Sequence, residues 1–179
     1  MSPDDLRAKL IRNFNDATFE TSERAPLYDG VKSARLARGT AAQKMGASID
    51  IVPPGKRSCP YHFHYVEEEM FIVLEGSGTL RVAGEMLPIC EGDIMFIPPG
   101  PEYPHQILNT SDKVLKYLSF SINGYGNLRV PRFKQISCLL SHPGPAPRWW
   151  QNAPREGRSG LLGRGSLTSA SCRSDQAQI

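Results

Sequence analysis

Long apolar runs are missing from this chain. The longest, residues 70–74, falls far short of the roughly 20 residues a helix needs to cross a bilayer, so no membrane span is expected. The N-terminus, MSPDDLRAKL, brings acids early and holds no apolar core, which argues against a secretory signal. Cysteine is sparse too. Cys59, Cys90, Cys138 and Cys172 stand far apart with no C-x-x-C pair, and the expectation is reduced thiols in a cytoplasmic protein. No internal repeat is visible, and 179 residues suit one ordinary domain.

A basic excess is also missing from most of the chain. The net charge of +3 divides sharply: residues 1–122 hold 13 Lys/Arg against 16 Asp/Glu, and residues 123–179 hold 8 against 2. A nucleic-acid role would rest on that tail alone, with Trp149 and Trp150 as its stacking surface. It is not the expected function.

What is present is mostly short-strand pattern. Ser2, Pro3, Asp4 and Asp5 open a short helix over SPDDLRAKLIRNF, with a hydroxyl to cap it and acids to suit its dipole. Residues 20–44 show no clear period and predict an arm with some extended structure, so that 1–44 form an N-terminal helix and arm. From residue 45 the alternation predicts strands near 46–52, 61–65, 69–75, 78–83, 86–90, 93–97, 105–109 and 114–122, punctuated by Pro-Pro-Gly, Gly-Ser-Gly and Glu-Gly-Asp turns. Strands at this spacing predict an all-β barrel or jelly roll over 45–122. Residues 123–179, rich in Arg, Ser, Gly and Pro, give no fold signal and predict an irregular, disordered tail.

Three of the four histidines fall within the barrel. His62 and His64 alternate, so a strand would put both imidazoles on one wall. Glu69 adds a carboxylate from the next strand and His105 a third imidazole. Three neutral nitrogens and one anionic oxygen suit a divalent transition metal. The bland alternative for a lone His-x-His is a polar strand face.

Gly55, His62, His64, Glu69 and Gly76 resemble the first motif of the cupin superfamily, with its His-x-His, the gap to Glu and the gap to Gly. Gly92, Pro98, Gly100, His105 and Asn109 resemble the second. The resemblance covers roughly residues 40–122. It departs from the pattern twice. The gap from Gly55 to His62 is one residue longer than usual, which a turn absorbs, and the usual second-motif spacing would put histidine where Tyr103 stands. A two-residue insertion at Glu102, Tyr103 and Pro104 accounts for this; a lost ligand is the alternative. Within Glu67, Glu68 and Glu69 the gap to Gly76 favours Glu69, although Glu68 continues the parity of the histidines. Glu67 and Glu68 are then expected outside the ligand set, either solvated or with one of them orienting an imidazole, and Glu68 is placed beside the site. Tyr61, Phe71, Tyr103, Ile107 and Asn109 are the expected neighbours of the site, with core packing as the plain reading of the apolar ones.

The narrower resemblance is to small bacterial single-domain cupins of the type-2 group, whose uncharacterised members carry sugar-phosphate-isomerase-like labels. It implies a double-stranded β-helix (jelly-roll) barrel, one divalent transition metal, a homodimer and a small polar ligand such as a sugar or a hydroxy or keto acid. Iron or manganese is favoured, with zinc and nickel open. Isomerase or dioxygenase chemistry would follow, or binding without turnover.

The tail departs from the resembled family at about Tyr125. Permitted codons for residues 126–137, read one base later, spell E-I-C-E-Y-P-D-S-N-K-Y, the continuation common in that family. A frameshift explains the lost strand pattern and the charge reversal together. Resequencing the gene is expected to restore that continuation; an intact frame, with the basic tail detected by mass spectrometry in cells, would defeat it.

Overall fold

Two antiparallel sheets face each other in the computed structural model, which describes residues 1–123 and 136–138. One is six-stranded. It is built from β1 (Glu20–Thr21), β2 (Lys32–Arg35), β3 (Met45–Val52), β5 (Glu67–Glu75), β8 (Ile94–Ile97) and β10 (Leu115–Asn123), in the order β1-β2-β3-β10-β5-β8. The other is five-stranded. It holds β4 (His62–His64), β6 (Ser77–Val82), β7 (Glu85–Cys90), β9 (His105–Leu108) and β11 (Ile136–Cys138), in the order β11-β4-β9-β6-β7. This is the double-stranded β-helix expected from the strand pattern.

Alternation builds the interior. Phe71 and Val73 of β5, Met95 and Ile97 of β8, and Leu115 and Tyr117 of β10 point inward from one sheet. Leu80, Ile89 and Ile107 meet them from the other. Burying side chains of this size stabilises the fold by about 1.5–3 kcal/mol each. The intervening residues of β8, Ile94 and Phe96, remain exposed on the outer face.

The N-terminal arm has a structural role. Its β2 pairs with β3, placing Ser33 opposite Asp50 and Arg35 opposite Ser48, so the arm widens the sheet that carries the first barrel strand. The helix α1 (Pro3–Leu10) begins with a capping box: Ser2 Oγ accepts from Asp5 N at 3.1 Å and the Asp5 carboxylate accepts from Ser2 N at 2.9 Å. None of its residues is buried. It is a surface helix, followed by an Arg12 guanidinium that donates to the Gly39 carbonyl at 3.1 Å.

Ile136–Cys138 lies within the stretch expected to be irregular, yet it runs antiparallel to β4. The rest of that tail, and the frame change proposed for it, lie outside the described residues. Cys90 is disulfide-bonded, which corrects the expectation of reduced thiols throughout. Wide spacing along a chain does not decide which sulfurs fold together.

Two motif glycines have positive φ for different reasons. Gly76 has φ +82°, and a Cβ there would lie 2.2 Å from the Val114 carbonyl oxygen. Gly55 has φ +74° with open space around it. Gly55→Ala should therefore cost about 1–2 kcal/mol from backbone conformation alone. Gly76→Ala should cost at least about 2 kcal/mol more, because two strands must part. Urea denaturation of both variants checks the ranking, and equal losses would contradict it.

Candidate metal centre

The two sheets bring His62, His64, Glu69 and His105 together. The first pair comes from β4, whose alternation puts both rings on the inner side. His105 opens β9 directly opposite His62. Glu69 reaches across from β5. One donor atom from each residue lies within 4.8 Å of the others. His62 Nε2 is 3.2 Å from His64 Nε2, His64 Nε2 is 3.0 Å from Glu69 Oε2, and His105 Nε2 is 2.8 Å from the same oxygen. Neighbouring ligands of an octahedral ion at about 2.1 Å stand about 3 Å apart. His105 joins the cluster from directly behind the loop at 102–104.

Backbone carbonyls set two of the rings. His62 Nδ1 donates to the Pro60 carbonyl at 2.8 Å, and His105 Nδ1 donates to the Tyr103 carbonyl at 3.1 Å. Both Nε2 lone pairs then face the centre, as metal ligation requires. His64 Nδ1 lies 3.2 Å from Glu67 Oε2, an ionic contact without hydrogen-bond alignment. Lone pairs converging at these distances need a positive charge between them. A proton or a divalent ion meets that need, and the donor set fits the ion.

The protein's own charges already show the competition. Burial, aided by His105, lowers His62 to about 4. Burial also acts to lower His64, but Glu67 and Glu69 outweigh it and raise that imidazole to about 9. Glu69 would be raised by burial, yet its bonds to His105 and His64 hold it down at about 2.

The cluster opens into a cavity of about 730 Å³. His62, His64, Glu69, Glu67, Phe71 and Tyr117 line its inner part, and Ser33, Arg35, Arg38, Ser48 and Asp50 line the rest. Asp50 was not signalled by any motif. Its carboxylate accepts hydrogen bonds from Ser33 Oγ and, at 3.5 Å, from Ser48 Oγ. Burial pushes its carboxyl above the usual range despite those hydroxyls.

The expected neighbours divide. Phe71 lines the cavity, with its ring centroid 6.0 Å from that of His105. Ile107 is core. Glu68 is exposed, so the carboxylate beside His64 is Glu67. The reason is that β5 starts at Glu67, and 67 and 69 share its inner face. Tyr61 faces away, its hydroxyl accepting from Gly84 N at 3.1 Å under the Arg81 guanidinium. The Tyr103 side chain is exposed and only its carbonyl serves the site. Asn109 Nδ2 donates to the Val52 and Lys113 carbonyls, tying the β9–β10 turn to β3.

Comparison with known proteins agrees with this fold. The family model described as "Cupin domain" matches residues 48–121. An uncharacterized protein of Methanocaldococcus jannaschii is 36% identical over 84 residues, which is 47% of this chain and 65% of that protein. The chain therefore spans just under two thirds of that relative. A sugar phosphate isomerase structure from Silicibacter pomeroyi is 23% identical with a TM-score of 0.55, covering 62% of this chain and 73% of its own. A structure from Acidithiobacillus ferrooxidans is 27% identical with a TM-score of 0.53, covering 64% and 75%.

Loading the ion must displace the His64 proton, because ligands bind metal deprotonated. With His64 raised to about 9, metal binding at pH 7 should release about one proton per site. The release should fade as pH rises through about 9. Without metal, the same raised value means that the His64–glutamate attraction stabilises the fold below pH 6.5 and is lost as pH rises through about 9. Calorimetry in buffers of different ionisation heat measures the release, and none at pH 7 would contradict the protonated His64.

Proposed function

From the match of residues 48–121 to the cupin-domain model, we propose that this protein uses one divalent transition metal to act on a small polar molecule. The carrying observation is that three of the four metal-ligating side chains, His62, His64 and Glu69, line the cavity that Asp50 also lines. A ligand there would meet, in one space, the ion and a carboxyl whose pKa burial raises. The bound ion would supply Lewis acidity toward an oxygen of the ligand. Iron or manganese is the favoured ion, with zinc and nickel as alternatives for the same mixed N/O donors.

The chain's own residues divide the remaining work. His62 and His105, held by the Pro60 and Tyr103 carbonyls, keep their lone pairs aimed inward. Glu67 steadies His64 from behind. Phe71 and Tyr117 close the inner end with apolar surface, which limits water there. Asp50, raised by burial, keeps a proton at higher pH than an ordinary carboxyl does. It can pass that proton to a ligand atom or take one back, as an isomerisation requires. A sugar or a hydroxy or keto acid offers both a chelating oxygen and an exchangeable proton. A homodimer belongs to the same proposal, since Ile94 and Phe96 leave β8, at the sheet edge, an apolar outer side.

Elemental analysis and sedimentation of one purified sample are the first test. About one transition-metal ion per folded chain is expected. With that metal loaded, Asp50→Asn should keep the ion and lose about 100-fold or more of turnover on an active sugar or hydroxy acid. Protein that refuses iron, manganese, nickel and zinc would sink the metal reading. Saturable binding without product would leave a binding module in place of an enzyme.

A further inference from the structure

We propose that Arg35 and Arg38 form a subsite, at the outer part of the cavity, for an anionic group of the ligand: a phosphate or a carboxylate. The inference deepens the proposed function by naming a charge that the small molecule carries. It does not depend on the metal for its own test.

Position is the first argument. Both arginines line the cavity that His62, His64 and Glu69 border; they are exposed and also border a neighbouring hollow that holds Asp16. Arg35 stands opposite Ser48 on β3, Ser48 opposite Ser119 on β10, and Ser119 opposite Phe71 on β5. Residues so paired share one face of the sheet. A single row therefore runs from the Arg35 guanidinium, past two hydroxyls, to the ring beside His105. Ser33 and Asp50 form the adjoining row on the same face. The floor between the arginines and the metal ligands is polar, which suits a hydroxylated molecule lying across it.

Charge is the second argument. The cavity's carboxylates are engaged elsewhere: Asp50 by Ser33 and Ser48, Glu67 by His64, and Glu69 by His64 and His105. Neither Arg35 nor Arg38 makes a side-chain hydrogen bond or ion pair with any described residue. Arg12, by contrast, is tied to the Ala8 and Gly39 carbonyls. Two arginines without a side-chain partner among the described residues thus border a cavity whose acids are already occupied. A planar fork of N–H donors matches phosphate or carboxylate oxygens in pairs.

Specificity follows from the spacing. Arg35 and Glu69 lie on strands three places apart in the sheet, about 14 Å at the usual strand separation before curvature brings them closer. A ligand that chelates the ion at one end must therefore carry its anion at the other. A bare chelator such as glycolate would leave the arginines without a partner.

Inorganic phosphate and acetate are the probes. Each is titrated into the full-length chain, metal-stripped and then metal-loaded, and followed by amide NMR shifts of residues 33–38. Saturable binding to the stripped protein is expected. In the Arg35→Gln/Arg38→Gln double variant it should weaken about tenfold or more, with metal content and melting temperature unchanged. Arg35→Lys should recover part of the loss, since it restores charge without the fork. The tighter probe names the anion. Phosphate binding that appears only with metal, or that survives the double substitution, would overturn the subsite, as would absence of binding in both forms. Metal content and turnover stand apart from these outcomes, so the subsite can fail while the metal reading holds.

Discussion

A carboxylate buried between two sheets needs donors facing it, and Glu69 takes both of its partners from the sheet opposite. His64 and His105 belong to the five-stranded sheet and Glu69 to the six-stranded one. Their contacts, 3.0 and 2.8 Å long, cross the gap that apolar side chains fill elsewhere. An unpaired charge in that place would be strongly destabilising. The approach of the two sheets, the loop before β9 and the start of β5 all answer to this one requirement. The same convergence that neutralises Glu69 assembles a donor set for a divalent ion.

Much of this was legible in the chain. The eight strands expected from residue 45 onward all form, within two residues at their ends. Turn residues and strict alternation are local signals, and they survive folding. The ligand candidates were legible for the same reason, because His-x-His on a strand has only one geometry. The reset of parity at the Tyr65 and Val66 bend was legible, but which neighbour of Glu69 would meet His64 was not: β5 begins at Glu67, so 67 and 69 share a face and Glu68 is left exposed. The start of β5 at Glu67 is a tertiary fact, imposed by pairing with β10.

The cavity wall was not legible, and the reason is distance along the chain. Arg35 and Asp50 share a face only because β2 pairs with β3. The arm between residues 20 and 44 shows no period that would announce such pairing. Asn109 and Tyr61 mislead in the opposite sense. They stand at or beside motif positions, yet their side chains fasten turns and leave the chemistry to others. A motif residue can earn its place by holding a loop, as Asn109 does between Val52 and Lys113.

The cavity touches the metal centre from one side. His62, His64 and Glu69 border it, while His105 sits behind them almost wholly enclosed. Under the proposed function, ion and ligand would share this approach. A molecule resting in the cavity would stand between the ion and bulk water, so exchange would be ordered: the ion enters first and leaves last. Residence time of the metal would become a property of the occupied cavity as much as of the four ligands. Chelators in solution would then strip the idle protein faster than the working one.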